Sequence, residues 1–130
     1  MMHSILIIIR GNSGSGKTVL ANQLQAHYGS DHCLLIHQDQ IRREILHAND
    51  HLGTPAVSLI EVLINYGLNH FPVTILEGIL RKDVYGAMLT STLEKFNSRT
   101  LVYYLEIPFA TTLKYNQTKA TPFAEESLRA

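Results

Sequence analysis

One eight-residue stretch, at positions 11–18, constrains this chain more than any other. It fits the pattern G-x-x-x-x-G-K-[ST] of a phosphate-binding loop, and its members are Gly11, Asn12, Ser13, Gly14, Ser15, Gly16, Lys17 and Thr18. The apolar run at positions 5–9 before it is typical of a strand buried on both faces, as in a parallel sheet. Apolar residues follow at helical spacing, so the loop is predicted to end at a helix N-terminus.

The pattern indicates that this loop binds a nucleoside triphosphate. Its glycines let successive backbone N–H groups point at phosphates, and the helix dipole adds positive potential at the same place. Lys17 is predicted to reach the β- and γ-phosphates, and the Thr18 hydroxyl to take one position on Mg²⁺. The alternative is a Gly/Ser-rich turn that only matches the pattern, and the strand before it and the helix after it disfavour that alternative.

Composition favours one ordinary globular domain over residues 1–130. Of these residues 45% are hydrophobic, and 11 basic residues balance 11 acidic ones, so the formal net charge is zero. We therefore expect no long-range attraction to nucleic acid or to an anionic membrane. The single cysteine, Cys33, cannot form an internal disulfide, which favours a reducing cytoplasm. The apolar run near the N-terminus is too short for a membrane span and has no cleavage site, so we expect neither anchor nor signal peptide.

Seven histidines raise the question of a metal site. His47 and His51 are four positions apart and would share one face of a helix. No cysteine, further histidine or H-E-x-x-H pattern accompanies them at a ligand spacing, so we expect surface residues rather than a dedicated metal site.

Strand-like and helix-like segments alternate along the chain. Strands are predicted at 4–10, 33–37, 72–76 and 100–107, and helices at 17–28, about 40–49, 55–69, 83–96 and about 109–119. Pro55 suits the first turn of its helix. The order predicts an α/β domain with a parallel sheet flanked by helices and joined by right-handed crossovers. Since ligands of such sheets bind outside the carboxyl ends of the strands, the motifs should meet in one cleft.

The segment after the second predicted strand carries Asp39, Arg42 and Arg43. An acid just past a strand, with arginines one helical turn on, suits a phosphate acceptor. Asp39 would take or orient the proton of the acceptor hydroxyl, and Arg42 or Arg43 would hold an anionic group nearby. The alternative is a helix N-cap, since aspartate is common there, and this segment alone does not decide between the two.

Glu77 and Gly78 directly follow the third predicted strand. A carboxylate at this place would hold Mg²⁺ through water or polarise the attacking group. Gly78 permits a close turn of the backbone. Arg81 faces either the transferred phosphate or solvent, and the sequence leaves both open.

Beyond the fourth predicted strand, Lys114 and Lys119 lie on the last predicted helix. Cations there would fold over the nucleotide as a lid and stabilise charge in the transition state. A lysine on an amphipathic helix is more often only solvated.

These motifs together resemble the bacterial P-loop kinases of the uridine kinase-like and zeta-toxin-like group. The residues that carry the resemblance lie at 10–18, 38–44, 75–80 and 117–119, and they span nearly the whole chain. The resemblance implies a three-layer P-loop NTPase fold with an adenylate-kinase-like sheet, ATP with Mg²⁺, and phosphoryl transfer to a hydroxyl. It also implies that the acid after the second strand, Asp39, serves the acceptor.

The chain departs from that group in two ways. Lys114 stands in the lid where relatives carry arginines, and lysine lacks the planar fork that grips a phosphoryl group. Relatives also continue with a further helix, a fifth strand and a closing helix, so we expect the last strand to be lacking. Residues 1–107 would then form the core, and 108–130 the lid region and a shortened C-terminus.

The leading hypothesis is an ATP-dependent kinase acting on a nucleoside or sugar-nucleotide-like acceptor. Lys17, Asp39 and Glu77 are its candidate catalytic residues, Thr18 and Glu77 its metal ligands. The runner-up is a nucleotide-binding kinase remnant with little turnover. A third possibility is a polynucleotide 5′-end kinase, which the Asp39-x-x-Arg42 spacing favours and the neutral charge disfavours.

The strand order expected for this group places the first strand between the third and the fourth. The fourth strand would then be an edge with apolar side chains. Such an edge invites pairing with another chain. We therefore expect either self-association through it or cover from the segment Thr121–Ala130.

Overall fold

A computed structural model describes residues 4–96, 99–105 and 128–129. In chain order its elements are β1 (Ile5–Gly11), α1 (Lys17–Tyr28), β2 (Cys33–His37), α2 (Gln38–Gln40), a π-helical turn (Ile41–Ile45), α3 (Pro55–His70), β3 (Val73–Gly78), α4 (Lys82–Phe96), β4 (Thr100–Leu105) and β5 (Leu128–Arg129).

The strands form one sheet in the order β2-β3-β1-β4-β5. The first four are parallel, which confirms the predicted α/β fold with a parallel sheet flanked by helices. It also confirms that the first strand lies between the third and the fourth. The carboxyl ends of these four strands share one edge of the sheet, and the phosphate-loop sequence follows β1 there.

The two faces of the sheet pack against different helices. Alternate residues of β1 and β3, such as Ile7, Ile9 and Ile75, join a cluster with Ala21 of α1. The intervening residues, such as Leu6, Ile8 and Leu76, join a cluster with α3 and α4. Because strand side chains alternate between faces, an uninterrupted apolar run is what a strand covered on both sides requires.

Helix α3 begins and packs as its sequence dictates. Thr54 is its N-cap and accepts a hydrogen bond from the Ala56 N–H at 3.3 Å, and Pro55 occupies the first turn, as predicted. Gly67 lets the helix lie directly on β3, because a Cβ there would come within 2.1 Å of Thr74 Oγ1.

The predicted helix at 40–49 is wrong in its bounds. Helical structure begins at Gln38 and passes into the π-helical turn, in which the Leu46 N–H donates to the Ile41 carbonyl at 3.0 Å. His47 then adopts a φ of 50°, in the left-handed region, which stops the helix. His47 and His51 therefore share no helix face.

The third strand extends further than predicted. Glu77 and Gly78 lie within β3, where the sequence interpretation had placed them after its end. At the other end of the chain, the predicted helix at 109–119, including Lys114 and Lys119, lies outside the described residues, as do positions 106–107 of the predicted fourth strand. The division into a core at 1–107 and a lid region with a shortened C-terminus at 108–130 stays a prediction.

The outer side of β4 has a partner at its end. Tyr104 and Leu105 pair antiparallel with Arg129 and Leu128 of β5. A part of the segment expected to cover this edge thus pairs with it, while self-association stays a prediction. In the part of the chain that the structure describes, no helix is long and apolar enough to cross a membrane.

Candidate functional site

The loop after β1 has the backbone that its glycines predict. Gly14 and Gly16 have φ values of 77° and 93°, in the left-handed region that glycine adopts without strain. The Ser15 N–H donates to the Asn12 carbonyl at 3.1 Å and closes the turn. Helix α1 starts at Lys17 with no side-chain cap at Gly16, so this end carries the positive helix dipole without a capping side chain to occupy its N–H groups.

Lys17 is a buried cation beside two carboxylates. It is only 9% exposed, and its Nζ donates to the Asn12 carbonyl at 3.1 Å. Burial lowers the pKa of Lys17, and the negative charges of Glu77 and Asp39 oppose that shift. An ammonium group has three donors, so this contact leaves donors for an anionic ligand.

Glu77 is a buried carboxylate, 4% exposed, near the end of β3. Its Oε2 accepts a hydrogen bond from Thr18 Oγ1 at 3.1 Å. The same oxygen lies 2.5 Å from His37 Nδ1, and because a carboxylate only accepts, the imidazole donates. Strand register explains the second contact, since His37 and Glu77 are Cα partners on neighbouring strands.

The residues present fit a magnesium–nucleotide ligand. The hydroxyl of Thr18 and the carboxylate of Glu77 are hard oxygen donors, which Mg²⁺ prefers. Lys17 and the uncapped start of α1 suit phosphate oxygens. The hydroxyl of Ser15 is buried and has no hydrogen-bond partner within the described part of the chain. Each of these groups lies on the loop or at the strand end beside it.

Asp39 is the exposed acid of the site, with 62% of its side chain accessible. It is the second residue of α2, and the N-cap is His37, so the capping alternative is wrong. Arg42 Nη2 donates to Asp39 Oδ1 at 3.0 Å, and Arg43 Nε forms an ion pair with the same oxygen at 2.9 Å. Among the described residues no hydrogen bond reaches the other carboxylate oxygen, which leaves it able to accept one from an acceptor hydroxyl.

The guanidinium of Arg42 also ties down the loop that follows. Its Nη1 donates to the Ala48 carbonyl at 3.1 Å, and its Nε lies 3.8 Å from Asp50 Oδ1. Arg42 therefore positions Asp39 and the loop at 46–54 relative to each other. Arg43, with 68% of its side chain exposed, has the more accessible guanidinium of the two.

A buried tyrosine joins this loop to the start of α2. Tyr85 of α4 donates from its hydroxyl to Asp50 Oδ1 at 3.1 Å, and Gln38 Nε2 donates to that hydroxyl at 2.9 Å. Burial is the main cause that raises the pKa of Tyr85 to about 12. The hydroxyl thus stays protonated and fixes Asp50 beside Arg42.

Two further arginines, Arg10 and Arg81, also have protein partners. Arg10 Nη2 donates to the Leu80 carbonyl at 2.5 Å. Arg81 makes two contacts with the carboxylate of Asp83, at 3.2 and 2.8 Å, and donates to the Asp50 carbonyl at 3.2 Å. Its predicted contact with a phosphate stays a prediction.

The structure thus brings the predicted residues Lys17, Thr18, Asp39 and Glu77 to one end of the sheet. Sequence reasoning missed His37, Asp50 and Tyr85. For His37 a signal existed, since the parallel pairing of two strand ends puts it opposite Glu77. For Asp50 and Tyr85 there was none, because their contact depends on the path of a loop.

Comparison with known proteins supports the fold. No family model matches the chain, and no curated protein is significantly similar to it in sequence. Among solved structures, APE1195 is similar with a TM-score of 0.69 and 14% identity, over 92% of this chain and 72% of that one. A chain of the Pnkp1/Rnl/Hen1 complex matches with a TM-score of 0.64 and 16% identity, over 97% of this chain.

A gluconokinase from Sinorhizobium meliloti 1021 is also similar, with a TM-score of 0.56 and 17% identity, over 98% of this chain and 71% of that one. This chain spans only 43% of the matched chain in the Pnkp1/Rnl/Hen1 complex. At these identities the matches show the fold alone, an α/β fold with a parallel sheet flanked by helices.

Proposed function

We propose that this protein is an ATP-binding P-loop kinase that transfers the γ-phosphoryl group to a hydroxyl of a small molecule. The observation that carries the proposal is the environment of the Lys17 side chain. This buried ammonium lies at an uncapped helix start, with Glu77 and Asp39 near enough to oppose the lowering of its pKa. The next residue, Thr18, donates a hydrogen bond to the carboxylate of Glu77, and a cation beside a hydroxyl and a carboxylate suits the binding of phosphate with Mg²⁺.

On the donor side, the chain binds and orients the triphosphate. Lys17 donates to phosphate oxygens from its remaining N–H groups, and the loop amides add further donors. Thr18 and Glu77 would hold Mg²⁺, which neutralises charge on the phosphates when it is bound. Lys114 and Lys119 are the candidate lid residues.

On the acceptor side, Asp39 accepts the proton of the attacking hydroxyl. Its contacts with Arg42 and Arg43 hold the carboxylate in place, and a general base must be held within reach of the proton it takes. The accessible guanidinium of Arg43 would contact a polar group of the acceptor. A nucleoside or a sugar nucleotide offers such hydroxyls.

A polynucleotide 5′-end kinase is the second candidate. It is supported by the Asp39-x-x-Arg42 spacing and by the structural similarity to a chain of an RNA repair complex. The charge balance argues against it, because Arg42, Arg43 and Arg81 are each paired with an aspartate. A nucleotide-binding domain with little turnover is the remaining alternative.

A transfer assay with labelled ATP and Mg²⁺ tests the proposal. The acceptors are a panel of nucleosides, sugar nucleotides and oligonucleotides with 5′-hydroxyl ends, each incubated with the parent chain and with Lys17→Ala. We expect labelled product from a small molecule with the parent only. Label on oligonucleotides alone would support the second candidate. ATP binding without any product would support the domain of little turnover, and absence of ATP binding would contradict all three.

A further inference from the structure

We propose that His37 is a positioning residue that holds Glu77 in the orientation needed for Mg²⁺ in the magnesium–ATP complex. The proposal rests on the proposed function, because it concerns the same nucleotide site. Neither the loop pattern nor the acidic strand end includes this histidine, and only the sheet brings it to Glu77.

The contact between the two residues is fixed by the sheet itself. His37 is the last residue of β2, and its Cα pairs with that of Glu77 on β3. Side chains of Cα partners on neighbouring parallel strands project from the same face, so the imidazole and the carboxylate meet side by side. The position of His37 is therefore independent of the phosphate-binding loop, whereas Thr18, the other partner of Glu77, lies at the end of that loop.

Burial makes the orientation of Glu77 depend on such partners. The carboxylate is 4% exposed, so water does little to satisfy it. Its Oε2 receives the hydrogen bonds from His37 Nδ1 and from Thr18 Oγ1. Among the described residues no hydrogen bond reaches Oε1. The imidazole thereby engages one carboxylate oxygen and leaves the other for a ligand.

Hydrogen bonds of this kind control how well a carboxylate binds metal. Loss of a partner that orients a metal-binding side chain typically weakens metal affinity by about 10–100-fold. We therefore expect His37→Leu to raise the Mg²⁺ concentration that half-maximally strengthens ATP binding by about 10–100-fold. ATP affinity in EDTA should stay unchanged, because among the described residues no hydrogen bond joins His37 to the loop.

The experiment is calorimetric titration of ATP in EDTA and at a series of Mg²⁺ concentrations. His37→Asn is the conservative variant, because its amide nitrogen takes a place close to that of Nδ1 and should restore the Mg²⁺ dependence. His70→Ala is the matched control, since His70 lies at the far end of α3, where its Nδ1 contacts the Tyr66 carbonyl. Melting curves show whether each variant is folded.

A double variant tests whether His37 acts through Glu77. If it does, His37→Leu combined with Glu77→Gln should be no weaker in Mg²⁺ dependence than Glu77→Gln alone. An additive loss would overturn the proposal. So would an unchanged Mg²⁺ dependence of His37→Leu, or an equal loss in the Asn and Leu variants.

Three further outcomes are decisive. If His37→Leu does not fold, His37→Asn is compared with His37→Gln, whose amide lies one methylene further out; equal Mg²⁺ dependence in these two would overturn the proposal. If the parent binds ATP with no strengthening by Mg²⁺, the role of His37 fails while ATP binding stands. If the parent binds no ATP in either condition, the proposed function fails first.

Discussion

Thr18 at the start of α1 donates a hydrogen bond to Glu77 near the end of β3, although 59 positions separate them in the chain. The bond joins the phosphate-binding loop to the neighbouring strand. It places a hydroxyl and a carboxylate, both suited to Mg²⁺, at one point of the cleft. The neighbouring residue, Lys17, is the first to test for a role in nucleotide binding.

Lys17→Ala should nearly abolish ATP binding and leave the melting temperature close to that of the parent. The ammonium donates only within its own loop in the described structure, and its burial disfavours the charge, so its removal costs the fold little. ATP titration and thermal melting test this, with Lys95→Ala at the exposed end of α4 as the control. Equal ATP affinity in the variant and the parent would remove the central argument for a nucleotide site.

Asp39→Asn should lower phosphoryl transfer and leave ATP affinity near that of the parent. The amide cannot accept the proton of an acceptor hydroxyl, so the expected loss is in kcat, of about 10²–10⁴-fold. Transfer kinetics with the acceptor found in the panel give the comparison, and Asp31→Asn, an exposed acid before β2, is the control. A variant that transfers at the parental rate would show that Asp39 has no part in the reaction.

Two glycine substitutions in helices should have opposite effects on stability. Gly67→Ala places a methyl group 2.1 Å from Thr74 Oγ1, and such overpacking costs about 1–3 kcal/mol. Gly86→Ala meets only Lys82 Cγ, at 3.4 Å, and should stabilise the chain by about 0.5–1 kcal/mol through helix propensity. Urea unfolding measures both. Adding Thr74→Ala to Gly67→Ala should recover part of the loss, and failure to recover would place its cause elsewhere.

Cys33 should react slowly with iodoacetamide at pH 8 and rapidly once the chain is unfolded. The residue is 1% exposed, and burial raises the pKa of its thiol from 9.0 to about 11. Between these two pH values the folded chain binds more protons than the unfolded chain. The contribution of the Cys33 thiol to stability is therefore complete below pH 9 and is lost as the pH rises toward 11. Cys33→Ala should unfold with a weaker dependence on pH in that window, and an identical dependence would contradict the assignment.

Deletion of residues 121–130 should promote self-association through the outer side of β4. The deletion removes β5, which pairs with Tyr104 and Leu105, and exposes their backbone groups. Light scattering at increasing protein concentration tests this. Leu101→Lys in the deleted chain should restore the monomer, because charge on an edge strand opposes pairing. A monodisperse monomer without that substitution would rule out the edge as an interface.

The sequence alone determined the parts of this protein that depend on neighbouring residues. The apolar run of β1 required cover on both faces, and Gly14 and Gly16 adopt the left-handed conformations that the loop pattern predicts. Pro55 predicted the start of α3. Alternation of strands and helices then predicted the parallel sheet, because right-handed crossovers leave few other arrangements.

Tertiary structure decided the contacts among the side chains. Glu77 meets His37 because two strands pair in one register, and Tyr85 meets Asp50 because a loop passes over α4. The helical segment ends at Ile45, earlier than predicted. This end also depends on a side-chain contact, because Arg42 donates a hydrogen bond to the Ala48 carbonyl in the loop that follows. Local pattern predicts which residues are apolar, small or charged. It does not predict which distant groups come within hydrogen-bond distance, because that distance depends on strand register and loop path, and both are fixed only when the whole chain packs.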